Sequence, residues 1–185
     1  QLVTLSRHGK AVPMSKRQGE FVTFREVLDE VGRDATRFFF LMRTMDSHLE
    51  FDLELAKSQS QENPVYYVQY AHARICSIFA KARLPWWARW RPDLSLLQEP
   101  EERLLMRWLF QYPIVLRLCA SSFEPHSVTL YLRKLAESFH VFYPKHRVIS
   151  EDRRLTTARR ALVRATQQVV ANGLGILGVR APRRM

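Results

Sequence analysis

From Asn63 onward the apolar residues of this 185-residue chain return every three or four positions in one segment after another, with no strand signal between them. Leu155, Ala158, Leu162, Thr166 and Val169 form one such series. A period near 3.6 puts these side chains on one face of an α-helix, whereas a half-buried strand needs strict alternation. The spacing predicts helices over 63–83, 101–110, 113–121, 125–143 and 151–170, with an irregular excursion from Pro85 to Pro100. Each apolar stripe must be buried against another, so five helices in a row imply an all-α helical bundle. At 46% hydrophobic residues the chain can supply a core for it.

The part before Asn63 reads differently. Leu2 to Leu5 and Ala11-Val12 around Arg7-His8-Gly9-Lys10 have the look of a short β-hairpin, with Gly9 at the turn. Thr23 with Glu26 forms a capping box for a helix over 24–31, and Gly32 stops it. A second helix begins at Asp34 and runs through Phe38-Phe39-Phe40-Leu41-Met42, apolar on every side and therefore expected to be buried. A shorter amphipathic helix follows over 52–59, and the polar run from Ser58 to Glu62 is the expected boundary between a domain over 1–62 and a helical domain over 63–185. Asn63 is placed to cap the first domain helix, with Pro64 in its first turn.

The net charge is +11, and its distribution matters more than its size. From Glu26 to Glu62 there are nine acidic residues and four basic ones, while from His140 to Met185 there are ten basic and two acidic. A concentrated positive field attracts a polyanion, with nucleic acid and anionic lipid as competing partners and a merely solvated surface as the bland alternative. No run reaches the eighteen or so apolar residues of a membrane span, and Gln1 opens no charged-then-apolar leader, which leads us to expect a soluble, cytoplasmic protein. Cys76 and Cys119 lie in apolar helical patterns without Cys or His at ligand spacing and are expected to be buried thiols; no metal site is predicted. No Ser-His-Asp arrangement or dinucleotide glycine pattern is present, and His72, His126, His140 and His146 read as structural or surface residues.

Three groups remain as candidates for binding. In Asn63-Pro64-Val65-Tyr66-Tyr67-Val68-Gln69-Tyr70-Ala71-His72-Ala73-Arg74, a helix puts Tyr66, Tyr70 and Arg74 on one face, with Tyr67 about a hundred degrees round. Tyrosine rings can stack on unpaired bases and arginine can meet phosphate or lie over a base, although tyrosines at the rim of a helix packing would look the same. Arg153, Arg160 and Arg164 fall within about forty degrees of one another, beside Gln167, as phosphate contacts require. Three arginines on one line repel one another, so either a partner or an acidic surface of the same fold should offset them. A small basic loop, Met14-Ser15-Lys16-Arg17-Gln18-Gly19, can present a lysine to phosphates.

These residues together resemble the bacterial arginyl-tRNA synthetases. The resemblance is carried by Met14-Ser15-Lys16-Arg17, Gly32 to Phe39, Phe51-Asp52-Leu53, the tyrosine-rich motif, Tyr131 to Ala136, and Leu177-Gly178-Val179-Arg180-Ala181-Pro182, so it extends over essentially the whole chain. It implies the C-terminal part of a class I aminoacyl-tRNA synthetase: the end of the catalytic domain over 1–62, then an anticodon-binding domain named for a signature that here reads Asp34-Ala35-Thr36-Arg37. The implied partner is the anticodon stem-loop of arginine tRNA, held by Tyr66, Tyr67, Tyr70, Arg74 and Met185 with the arginines of the basic stripe. The implied reaction joins arginine to tRNA using ATP and Mg2+ through an adenylate, with Lys16, flanked by Met14, Ser15 and Arg17, at the ATP phosphates. The family's customary first lysine of that loop is Pro13 here, and its His-x-Gly-His motif is missing. The chain is therefore expected to be a piece of a longer polypeptide, a monomer, without a cofactor of its own and inactive alone. The tail of another class I synthetase, such as the cysteinyl type, and a non-enzymatic basic helical RNA-binding module are the alternatives.

Overall fold

Val3–Arg7 (β1) and Lys10–Ala11 (β2) pair antiparallel, with Arg7 opposite Lys10. Both residues between them, His8 and Gly9, have positive φ (52° and 74°), as a two-residue hairpin turn requires. The computed structural model describes residues 2–12, 22–81 and 92–185. Helices Phe24–Val31 (α1) and Arg33–Leu41 (α2) follow, separated by Gly32 at φ 85°. The capping box at Thr23 is formed: Thr23 N donates to Glu26 Oε2 at 2.6 Å, and Glu26 N to Thr23 Oγ1 at 3.2 Å.

A third strand, Leu49–Asp52 (β3), departs from the predicted hairpin by pairing parallel to β1, with Leu5 opposite Phe51. Its signal is two buried residues, Leu49 and Phe51, in a run of four, and its partner is remote in sequence, so local periodicity does not reveal it. Helix α2 is not buried all round: Phe38 and Phe39 are, whereas Phe40 and Leu41 are only partly covered and Arg37 is exposed. The predicted helix over 52–59 is the shorter Leu53–Lys57 (α3), with Asp52 as its N-cap, accepting from Glu54 N and Leu55 N.

The bundle is built from Pro64–Lys81 (α4), Pro100–Ser122 (α5), His126–Lys145 (α6) and Arg153–Ile176 (α7), with a short 3-10 turn at Leu94–Leu96. The two helices predicted over 101–110 and 113–121 are one. Pro113 lacks the N–H that would close the turn behind it, but it sits on an exposed face of α5, where a freed carbonyl can meet water. Helix α7 also runs past residue 170 through Gly173 and Gly175, residues that sequence propensity would place beyond its end. The part of the predicted excursion from Pro85 to Arg91 lies outside the described residues.

Asn63 explains why α4 starts where it does. Its Oδ1 accepts from Val65 N (3.1 Å) and Tyr66 N (3.3 Å), while its Nδ2 donates to the carbonyls of Ala56 (3.1 Å) and Ser58 (2.8 Å). One side chain thus caps the helix and ties it to the end of α3. Helix α6 packs against α4, α5 and α7 and is the centre of the core. Its Leu132, Leu135, Phe139 and Phe142 are buried with Val68 and Ile75 of α4, Leu105 of α5 and Leu162 and Leu174 of α7. Inside this shell Arg159 Nε donates to Glu102 Oε1 at 2.7 Å, a buried ion pair joining α7 to α5, and Arg159 Nη1 donates to the Arg147 carbonyl at 3.0 Å. Cys76 and Cys119 are half-buried rather than buried, because each lies at the margin of a helix packing. Among the described residues no helix is long and apolar enough to cross a membrane.

Candidate nucleic-acid interface

The face of α4 that carries the tyrosines turns away from the core, and α6 supplies its neighbours. Tyr66 and Tyr70 stack with ring centroids 5.9 Å apart and planes 9° off parallel, the outcome of an i, i+4 spacing on a helix. Arg74, one further turn along, lays its guanidinium 4.5 Å from the Tyr70 ring centroid and 5.1 Å from that of Tyr143, and donates from Nη2 to the Tyr70 hydroxyl. His140 of α6 stacks beside Tyr70 at 5.9 Å and meets Tyr67 at 4.6 Å. Tyr66, Tyr67, Tyr70 and Arg74 are half-buried, so rings are held in place by packing while an edge of each stays open. That arrangement suits a stacking platform, because little side-chain freedom remains to be lost on binding.

Tyr67 points to the other flank, where it lines a groove with Leu130, Arg133, Lys134 and Glu137. Burial raises the pKa of its phenol, with the Glu137 charge adding to the rise and Arg133 opposing it. His140 is held below the ordinary histidine range, chiefly by burial and further by the Arg74 charge, against a hydrogen bond to the Tyr67 carbonyl (3.3 Å) that works the other way.

Met185 reaches this face through the chain that follows α7. Gly178, at φ 68°, turns the backbone, and Leu177 and Val179 are buried. Arg37 Nε of α2 donates to the Leu177 carbonyl at 2.9 Å; Gln69 Nε2 of α4 donates to the Arg180 carbonyl at 2.9 Å. His72 Nδ1 lies 2.8 Å from the Pro182 carbonyl and therefore carries a proton there. Arg180 Nε pairs with Asp34 Oδ2 at 2.8 Å. The segment so held brings Met185 into a cleft with Tyr70, Arg74, Ser77, Lys81 and Tyr143, and it also borders the cleft beside Tyr66. Both clefts are open depressions of the surface.

The basic stripe lies elsewhere. Arg164 sits 4.3 Å and Arg160 5.9 Å from the centroid of Phe79 on α4, a residue turned about 140° from Arg74 around the helix axis. Arg164 Nη1 also donates to Gln167 Oε1 at 3.0 Å, and Gln167 Nε2 donates to Cys76 Sγ. The Phe79 ring thus helps offset the crowding of Arg160 and Arg164. Burial and the adjacent Arg164 lower the pKa of Arg160. Arg153 lies at the exposed start of the same helix. Tyr66, Tyr70, Arg74 and Met185 are therefore brought together, Tyr67 lies round the corner, and the arginines occupy another flank. Met14, Ser15, Lys16 and Arg17 lie outside the described residues.

Sequence reasoning did not single out His140 and Tyr143, which complete the platform from α6, or Gln69 and His72 as holders of a distant segment. An i, i+3 pair of rings on α6 was a usable signal for the first two; the carbonyls met by Gln69 and His72 leave no mark in a sequence. One group of possible metal ligands occurs among the described residues, Glu99, Glu101 and His146, with ligand atoms within 4.8 Å of one another. Glu101 already accepts from Lys145 (2.6 Å) and His146 (3.0 Å), and these bonds, Lys145 first, bring its carboxyl down to about 2. The group reads as an ion-pair cluster linking α5 to the end of α6.

Residues 68–185 match the family model described as the DALR anticodon binding domain. The chain is 53% identical to an arginine-tRNA ligase of Geobacter metallireducens and 56% identical to one of Citrifermentans bemidjiense, in each case over 100% of this chain and 34% of the relative. It is also similar to the solved arginyl-tRNA synthetase of Thermus thermophilus, with a TM-score of 0.73 and 30% identity over 92% of this chain and 29% of that one. The chain spans about a third of the length of the curated relatives it matches.

Proposed function

The chain belongs to the DALR anticodon-binding domain family, and from that premise we propose that it holds the anticodon arm of arginine tRNA within a longer arginine-tRNA ligase. The observation that carries this reading is the half-buried platform of Tyr66 and Tyr70, with Arg74 laid over Tyr70 and Met185 closing the cleft beside it. An unpaired base can stack on such rings while a guanidinium meets its phosphate or its plane. Tyr67 would border the same arm on the adjoining flank, and Arg153, Arg160 and Arg164 would supply charge that attracts RNA of any sequence.

In the same reading residues 1–62 are the end of the catalytic domain and its junction, and 63–185 are the anticodon-binding domain. The longer enzyme would join L-arginine to its tRNA in the cytoplasm, as a monomer, with ATP and Mg2+ as cofactors. When ATP is bound there, Lys16, with Met14, Ser15 and Arg17 beside it, would face the phosphates and stabilise negative charge on them. This chain alone would bind tRNA without charging it with arginine.

The test is binding of the chain to arginine tRNA and to the same tRNA with its middle anticodon base changed, at two salt concentrations. Discrimination that survives the higher salt supports a platform that reads bases. Equal binding that fades together as salt rises would leave a basic helical module that holds phosphates only.

A further inference from the structure

We propose that Asp34 and Arg37 are positioning residues for the RNA site: they do not touch RNA, but fix the segment 177–185 so that Met185 completes the aromatic platform on α4. The inference rests on the tRNA reading above and deepens it.

The segment after α7 is gripped mainly by its backbone. The carbonyls of Leu177, Arg180 and Pro182 accept from Arg37, Gln69 and His72 respectively, at 2.9, 2.9 and 2.8 Å. Asp34 adds two contacts to one residue, taking the Arg180 N–H at 3.4 Å on Oδ1 and the Arg180 guanidinium at 2.8 Å on Oδ2, while Gln69 Nε2 also approaches Asp34 Oδ2 at 3.3 Å. Two helices from opposite sides of the predicted boundary thus share the hold, α2 through Asp34 and Arg37 and α4 through Gln69 and His72.

The fit at Arg37 is close. Gly178 has φ 68°, and a Cβ built on it would stand 2.8 Å from Arg37 Nε and 2.9 Å from Nη2. The guanidinium therefore fills the space over the turn as well as bonding to the carbonyl before it. Arg180 is 85% exposed on its side chain, so its pair with Asp34 adds little energy as an ion pair. Its use is directional: it fixes where the segment leaves the turn. Five residues later, Met185 lies in the cleft with Tyr70 and Arg74. A segment with two buried apolar residues, Leu177 and Val179, would stay near the bundle without this grip; Gln69 and His72 hold its later carbonyls, and Asp34 and Arg37 set the direction in which it leaves the turn.

The experiment uses the full 185-residue chain and its Arg37→Gln, Asp34→Asn and Arg37→Lys variants, with Tyr70→Ala as the reference for a lost platform. Affinity for arginine tRNA and for the altered-anticodon tRNA is measured across salt, and hydrogen exchange is followed at the amides of Val179, Arg180 and Ala181. If the segment sits in place about one tenth of the time in Arg37→Gln, apparent affinity for arginine tRNA falls roughly tenfold. The salt slope stays that of the parent, because no phosphate contact is lost, and exchange at 179–181 quickens while the helices keep their protection. Arg37→Lys, which retains one donor, recovers part of the discrimination.

Unchanged discrimination in Arg37→Gln and Asp34→Asn, with Tyr70→Ala losing it, would overturn the proposal and leave the tRNA reading intact. A reduced salt slope in Arg37→Gln would also overturn it, by making Arg37 an RNA contact. If the parent chain itself does not discriminate, the tRNA reading fails, and unaltered exchange at 179–181 in both variants would then independently remove the positioning role. Should Arg37→Gln fail to fold, Gly178→Ala replaces it, since the added methyl displaces the same guanidinium; intact discrimination there would overturn the proposal.

Discussion

At the scale of single residues the proposed tRNA site depends on rings whose positions are already fixed. Tyr70 touches Tyr66 on one side, His140 on another and Arg74 above, so its removal opens the centre of the platform. Tyr70→Ala should weaken binding of arginine tRNA by about 1 to 3 kcal/mol, the worth of one base-aromatic stack, with helix content unchanged by circular dichroism. Binding equal to that of the parent would return this tyrosine to a packing role. His140 titrates with a definite sign. Its folded pKa is depressed by burial and by Arg74, so the unfolded chain takes up a proton first as the solution is acidified. The stability this neutral ring contributes is fully present above about pH 6.5 and is lost as pH falls through the folded value. Urea midpoints from about pH 7.5 to 5.5 should decline in the parent and decline less in His140→Gln; parallel declines would assign the acid sensitivity to other groups. The residue-level legibility of the site follows the same physics. Tyr66, Tyr70 and Arg74 share a face because helical geometry alone dictates it, whereas Gln69 and His72 stand in the same motif and turn to backbone carbonyls more than a hundred positions away, which no local rule foresees.

Among elements, α5 and α7 are joined by a buried ion pair. Glu102 is wholly buried and has Arg159 as its charge partner, with Glu102 also accepting from Glu99 N in the capping box that starts α5. Glu102→Ala should cost about 3 to 5 kcal/mol by leaving a buried guanidinium uncompensated, read as a shift of the denaturation midpoint. The double variant Glu102→Leu, Arg159→Met should recover most of that loss; failure to recover would show that the pair stabilises the fold by more than mutual compensation. The elements also show where periodicity suffices and where it does not. Capping at Thr23, Asp52 and Asn63 is local chemistry, and those helix starts follow the sequence closely. Pro113 suggested a break because propensity counts a missing donor but cannot see that the ring itself lies on an exposed face of the helix. Strand β3 was invisible because parallel pairing joins segments that share no turn.

Over the whole molecule, charge and recognition occupy different surfaces. The net charge is +11, and Arg160 and Arg164 of α7 lie on a flank of α4 away from the tyrosines, so in the proposed reading the charge that attracts RNA and the rings that select it are separate. Arg164, exposed and laid on Phe79, is the outer member of the pair with Arg160, so Arg164→Ala should lower the salt slope of binding by about one and weaken all tRNAs alike. A loss confined to one anticodon would make it a reader of bases. The fold class, the hairpin and the order of helices were open to sequence reasoning, since all follow from local spacing; the folding back of residues 177–185 was not, since it is written only in the meeting of distant parts. That meeting has a consequence for how the molecule comes into being. Arg37 and Leu177 are separated by 140 positions, and contacts of such long span form late, after local helices have paid most of the ordering entropy. A chain grown only as far as residue 176 holds the residues of α4 to α7, with the arginines of α7, but lacks the segment that crosses back to α2 and α4. In the tRNA reading proposed above, attraction for RNA would then precede the choice among RNAs, because residues 177–185 close over a surface laid down before them.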